Sequence, residues 1–166
     1  MSRILVTGGD GFVGRALCPA LLKAGHHVRI TSRSLATQTP QNDVETVAIG
    51  DIGPDTDWTG ALENIDAVVH LAGRAHVMQK TEADPLTAFR LVNAAGTKRL
   101  AEATLQHGVK RLVFISSVKI HGEQSHDGAF LETDTPAPED PYGQSKWEAE
   151  QALRAVAQNN DLEAVI

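Results

Sequence analysis

The feature that most restricts the fold is a cluster of glycines set between a strand pattern and a helix pattern. Arg3-Ile4-Leu5-Val6-Thr7 is a short β-type run. Phe12 to Ala24 places Phe12, Val13, Ala16, Leu17, Ala20 and Leu21 on one helical face. Between them stands Thr7-Gly8-Gly9-Asp10-Gly11-Phe12-Val13-Gly14. In this context glycines let the backbone turn tightly, approach a pyrophosphate and pack helix on strand. The helix start then offers free N–H groups and the positive end of its dipole to phosphate. Two registers fit. Gly9, Gly11 and Gly14 spell G-x-G-x-x-G, while Gly8, Gly11 and Gly14 spell T-G-x-x-G-x-x-G. Local residues do not separate them, and either predicts a dinucleotide on this turn.

The rest of the chain repeats the alternation. Gly25 ends the first helix, where positive φ is wanted. His27 to Thr31 and Val44 to Ile49 read as strands, and Ala67 to Leu71 as a strand buried on both faces. Pro85 to His107 reads as one long helix stopped by Gly108. Arg111 to Ser116 is another buried strand, Tyr142 to Gln158 a helix after the loop Thr133 to Pro141, and Glu163 to Ile166 a last strand. Alternating strands and helices predict right-handed parallel βαβ units: an α/β fold with a doubly wound parallel sheet of the Rossmann type, in three layers αβα. A chain of 166 residues without a repeat or linker suits one domain, 1–166. Its stop inside an apolar strand leads us to expect part of a longer protein.

Composition narrows the function. A net charge of −6 disfavours nucleic-acid binding, which calls for a basic face. No apolar run approaches the ~20 residues of a membrane span, and the start of the chain lacks a basic, cleavable leader. The single cysteine, Cys18, lies in an apolar helical run and reads as a buried, inert thiol. We therefore expect a cytoplasmic protein. The seven histidines show no ligand spacing with carboxylates or thiolates. Trp58 and Trp147 read as packing residues.

Two local patterns carry chemistry. The second strand ends Thr31-Ser32-Arg33-Ser34, without the carboxylate that usually grips the adenosine ribose. The hydroxyl of Ser32 and the guanidinium of Arg33 suit a 2′-phosphate, so NADP(H) is expected in preference to NAD(H). Tyr142-Gly143-Gln144-Ser145-Lys146 sets a phenol and an ammonium on one helix face. The lysine charge favours the phenolate, so Tyr142 becomes usable as an acid or base. Tyr142 is the only tyrosine, and it follows a strand ending in Ser116-Ser117.

The T-G-x-x-G-x-x-G turn, a serine after the fifth strand and a later Y-x-x-x-K resemble the short-chain dehydrogenase/reductase family. They resemble most its extended branch of nucleotide-sugar epimerases, dehydratases and ketoreductases. Gly50-Asp51-Ile52 is similar to the branch's G-D-[LI], His70-Leu71-Ala72-Gly73 to its H-x-A-[AG], and Val92-Asn93-Ala94-Ala95-Gly96-Thr97 to its N-V-x-G-T.

The resemblance implies roles. Gly8, Gly11, Phe12, Val13, Gly14, Ser32, Arg33, Asp51, Ile52, Leu71, Ala72 and Gly73 would bind the dinucleotide, together with Tyr142 and Lys146. Tyr142 would exchange the proton at the sugar hydroxyl or ketone, and Lys146 would hold the nicotinamide ribose. Ser117 rather than Ser116 would hydrogen-bond the reacting oxygen, and Asn93 would support the site. His121 stands where the branch has the tyrosine of V-Y-G. Arg74 to Met78 and Ser116 to Ile120 look most like enzymes acting at C4 of UDP-linked N-acetylhexosamines.

A substrate lobe would follow Ile166. A homodimer is expected through helix faces built on Ala94, Ala101 and Leu105, and on Ala149, Leu153 and Val156, unless those faces pack on their own sheet. The alternatives are a reductase of another small carbonyl compound and a non-catalytic dinucleotide-binding module.

Overall fold

A computed structural model describes residues 1–34, 43–75, 84–125 and 128–166. The sequence segment His76 to Met78, Glu82 and His126 lie outside the described residues. Six parallel strands form one sheet: β1 (Arg3–Thr7), β2 (His27–Ser32), β3 (Val44–Ala48), β4 (Ala67–His70), β5 (Arg111–Phe114) and β6 (Glu163–Val165). Their spatial order is β3-β2-β1-β4-β5-β6, the doubly wound arrangement expected. The order reverses between β1 and β4, which opens a crevice at the carboxyl ends of the strands.

Strand periodicity builds the layers. Ile4 and Val6 point to one face, where they pack with Val28, Ile30 and Cys18 of helix α1 (Phe12–Lys23). Leu5 points to the other face and joins Val68, Leu112, Phe114, Leu100 and Leu153. That second core is covered by α2 (Thr59–Leu62), α4 (Gly96–Gln106) and α5 (Pro141–Ala157). Cys18 is buried, and burial pushes its thiol above the ordinary value. Trp58 is fully buried in the second core.

Helix ends follow their local chemistry. Gly25 and Gly108 both have positive φ, 85° and 72°, at the helix stops where glycine was expected. Asp84-Pro85 starts helix α3 (Pro85–Phe89), with the Asp84 carboxylate accepting from the N–H groups of Leu86 and Thr87. Asp140-Pro141 repeats the device on α5, with Asp140 Oδ1 accepting from Gly143 N–H at 2.5 Å. Proline is well placed at a first helical position because its missing N–H would have no partner there.

The structure departs from the sequence expectations in four places. The single helix expected over 85–107 is interrupted by a π-helical turn, Arg90–Ala95, between α3 and α4. Hydrophobic periodicity at 3.6 residues does not reveal one wider turn. The short α2 and a 3₁₀ turn at Val118–His121 are each four residues long, too short to show a period. Strand β5 ends at Phe114, which leaves Ser116 and Ser117 in the loop rather than on the ladder. Finally, the faces expected to pair two copies are used within the chain. Ala101, Ala149 and Leu153 are wholly buried, with Leu105 and Val156 packed on the same core. These faces thus pack largely on their own sheet, the alternative stated for them, while Ala94, Leu105 and Val156 stay half-buried.

Candidate active site

The glycine turn is close-packed in both candidate registers. Gly8 has φ +69°, and a Cβ there would lie 2.9 Å from Ala72 N. A Cβ at Gly9 would meet Ile30 Cγ2 at 2.5 Å. One at Gly14 would stand 2.5 Å from Gly8 O and from the Gly9 backbone. Gly8 therefore serves the turn, Gly9 the approach to β2, and Gly14 the seating of α1. The N-cap of α1 is Gly11, with no side chain to satisfy the first-turn N–H groups. Phe12 and Val13 expose their side chains, Phe12 by 96 %. What they can offer an anion is backbone N–H.

The turn floors a cleft of about 680 Å³ along the carboxyl ends of the strands. Of the residues singled out in the sequence, Gly8, Gly11, Ser32, Arg33, Asp51, Ile52, Leu71, Ala72 and Gly73 line it. Ser32 closes a small local turn, its hydroxyl donating to Ser34 O at 2.8 Å and accepting from Ser34 N–H at 3.3 Å. This places the exposed Arg33 side chain at the cleft edge. Leu91, which sequence reasoning missed, and Val92, which it named only as part of the Val92–Thr97 match, also line the cleft. They come from the π turn, which left no sequence signal.

Asn93 sits buried in that same turn. Its Oδ1 accepts from Arg74 N–H at 2.8 Å, and its Nδ2 donates to Arg74 O at 3.0 Å and to Ser145 Oγ at 2.9 Å. Ser145 Oγ in turn donates to Tyr142 O at 2.7 Å. One amide thus ties the loop after β4 to the first turn of α5.

His70 lies behind the cleft and is buried. It bonds Thr7 Oγ1 at 2.6 Å and Thr97 Oγ1 at 3.0 Å, and stacks on Phe114. Burial, reinforced by the charge of Lys146, pushes its pKa down to about 3. It is a neutral tie among β1, β4 and α4.

Asn93, Ser117, Tyr142 and Lys146 do not line that cleft, and Lys146 is buried. Its Nζ donates to Ile115 O at 2.6 Å and lies 3.9 Å over the Phe114 ring. Burial lowers its pKa to about 8, against the pull of Glu150. Tyr142 is half-buried, edge-on to Phe89. Ser117 caps the 3₁₀ turn, its Oγ accepting from Lys119 N–H at 3.3 Å. Lys119 O approaches so closely that a Cβ at Gly143 would be 2.6 Å from it. The turn after Ser117 and the first turn of α5 are thus in contact, bringing the Ser117 and Tyr142 segments together. Ser116 Oγ is buried and, among the described residues, has no hydrogen-bond partner. His121 stacks on Phe130, with its Nδ1 buried and likewise unpartnered among the described residues.

This geometry fits a dinucleotide: an uncapped helix start, a cradle that any Cβ would fill, and a cleft leading from them. The profile of the NAD dependent epimerase/dehydratase family matches residues 4–166. The chain belongs to the NAD-dependent epimerase/dehydratase family. Within this epimerase/dehydratase family, a UDP-glucose 4-epimerase of Vibrio cholerae is 46 % identical over 165 residues, covering 98 % of this chain and 49 % of that protein. The N-acetyl-alpha-D-glucosaminyl-diphospho-ditrans,octacis-undecaprenol 4-epimerase of Escherichia coli O157:H7 is 31 % identical over 91 % of this chain and 42 % of its own length. Among solved structures, MoeE5 in complex with UDP-glucose and NAD superposes with a TM-score of 0.81 at 33 % identity, over 98 % of this chain and 51 % of that one. The chain spans about half the length of these curated relatives. No helix among the described residues is long and apolar enough to cross a membrane.

Proposed function

We propose that this chain is the cofactor-binding part, 1–166, of a cytoplasmic enzyme that acts at C4 of a nucleotide sugar by epimerisation or ketone reduction, with a substrate lobe supplied outside these residues. The observation that carries the reading is the contact between the Ser117 turn and the first turn of α5, with Tyr142 and Lys146 on that helix. A module that only bound a dinucleotide would have no use for a serine hydroxyl and a phenol carried on two touching segments. A UDP-N-acetylhexosamine is the favoured substrate: the Escherichia coli relative is named for an N-acetylglucosaminyl group, there on undecaprenol diphosphate, and the Vibrio cholerae relative for a UDP-linked sugar.

In this reading the bound dinucleotide supplies the hydride acceptor and donor. Tyr142 takes the proton from the C4 hydroxyl as it becomes a ketone and returns it on reduction. Ser117 donates to the C4 oxygen. Lys146 holds the nicotinamide ribose. Asn93 supports the site through Arg74 and Ser145. The first-turn N–H groups of Phe12, Val13 and Gly14 receive the pyrophosphate, and Asp51 the adenine. Arg33 and Ser32 favour NADP(H) over NAD(H). A homodimer belongs to the same reading.

The test is Tyr142→Phe in the full-length protein, assayed with UDP-N-acetylglucosamine and UDP-glucose. Dinucleotide binding should persist while turnover falls at least ~100-fold, because the positioned proton carrier is gone. Near-parental turnover would overturn the mechanism.

A further inference from the structure

We propose that Lys119 is a positioning residue that holds Ser117 and Tyr142 in register by bridging the Ser117 turn to Asp140, the cap of the Tyr142 helix. The inference rests on the reading of Ser117 and Tyr142 as the proton-handling pair. Lys119 reaches both segments through three of its own groups. Its backbone N–H donates to Ser117 Oγ at 3.3 Å. Its carbonyl packs against Gly143, in the space a Cβ would occupy. Its Nζ donates to Asp140 Oδ2 at 2.6 Å and to Glu123 Oε1 at 2.7 Å.

Asp140 uses its other oxygen to cap α5 through Gly143 N–H. Burial works against its charge, yet the Gly143 N–H and the Lys119 ammonium hold its carboxyl below the usual range. Asp140 in turn, with Glu123, raises the Lys119 ammonium above its ordinary value. Two further ties reinforce the junction: Ala137 N–H donates to Ile120 O at 2.8 Å, and Glu123 N–H to the Glu139 carboxylate Oε1 at 3.1 Å.

The arrangement has a chemical consequence at Ser117. Its oxygen accepts the Lys119 N–H, so its own hydroxyl hydrogen stays available for another acceptor. Lys119 thereby fixes both the distance between the two segments and the direction in which Ser117 can donate. The ion pair is partly exposed, with 40 % of the Lys119 side chain open to solvent. Pairs of that kind contribute little to stability, so geometry rather than folding should register its loss.

The experiment compares Lys119→Met, Lys119→Arg and Asp140→Asn in the full-length protein with Tyr142→Phe and with Arg111→Met. The last removes an ion pair to Glu163 at the opposite end of β5. Asparagine at 140 still caps the helix but loses the charge that Lys119 needs. Lys119→Met should lower kcat roughly 10- to 100-fold, as expected for displaced reacting groups. Substrate KM, dinucleotide Kd and the melting temperature should stay near parental. Asp140→Asn should reproduce that pattern, and the double variant should add little to either. Lys119→Arg should restore most of kcat, and Arg111→Met should leave it unchanged. The proposal falls if Lys119→Met keeps parental kcat, if kcat, binding and melting temperature decline together, or if Lys119→Arg fails to rescue. A fully active Tyr142→Phe would instead overturn the underlying reading. An inactive Tyr142→Phe beside an unimpaired Lys119→Met would remove only the positioning role.

Discussion

The ammonium of Lys146 lies 3.9 Å over the centre of the Phe114 ring. The aromatic face and the Ile115 carbonyl are its compensation for burial, and burial still lowers its pKa to about 8. Dinucleotide affinity of the parent chain should therefore weaken as pH rises through about 8, because the charged form that grips the ribose is lost. Lys146→Met should bind weakly and show no such pH dependence. Calorimetric titration at pH 7 and at pH 9.5 decides it, and equal parental affinities would reject the role.

His70 should make the chain acid-sensitive. Its folded pKa, about 3, lies below the ordinary value of 6.5 because the buried ring cannot accept charge. Between those values the unfolded chain binds a proton that the folded chain refuses. The stability that His70 provides is thus fully present above pH 6.5 and declines as pH falls towards 3, by at most about 1.4 kcal/mol per unit. Denaturant midpoints measured over this range should show the slope, and His70→Gln should flatten it from a lower starting stability. An unchanged slope in that variant would assign the acid sensitivity elsewhere.

Gly14→Ala should cost more than Gly25→Ala. At Gly14 the new methyl would press on Gly8 O and the Gly9 backbone at 2.5 Å, whereas at Gly25 it meets nothing within 4 Å and is strained only by its φ of +85°. Overpacking against backbone costs about 1–3 kcal/mol, and α1 must shift away from the turn to relieve it. Dinucleotide binding should be lost in Gly14→Ala and kept in Gly25→Ala. Retained binding in the first would show that α1 need not sit so close.

Arg33→Ala should narrow the preference for NADPH over NADH. A charged hydrogen bond to a 2′-phosphate contributes about 1.5–3 kcal/mol, roughly one to two decades in Kd. Fluorescence titration of both cofactors tests this. Equal affinities in the parent would refute the proposed preference, and an undiminished preference in the variant would place the discriminating contact elsewhere.

Leu153→Ala should destabilise the chain by about 2–5 kcal/mol, because Leu153 is wholly buried beside Leu112 and Phe114. Light scattering on the folded variant should give the same mass as the parent. A change of mass would return this face to a subunit interface.

The strands, the winding of the sheet and the glycine turn were legible in the chain because each rests on local chemistry. A short apolar run bounded by turn residues marks β1, buried from Ile4 to Thr7, whatever lies across from it. Gly8, Gly25 and Gly108 each mark a backbone angle that other residues resist. The chain order of Gly8, Ser32, Asp51 and Leu71 likewise anticipated one cleft, since each follows a strand and parallel strands end on the same edge. What stayed hidden depends on partners distant in sequence. The π turn forms where Asn93 is drawn to Arg74 and Ser145, and no 3.6-residue pattern encodes that pull. In the sequence His70 shows only as the first residue of the His70–Gly73 match, yet Thr7 and Thr97 close around it as a buried neutral ring. Ala101, Ala149 and Leu153 display an apolar face without saying what covers it. The neighbouring helix and the sheet cover it here, because hydrophobic burial takes whichever surface packing brings closest.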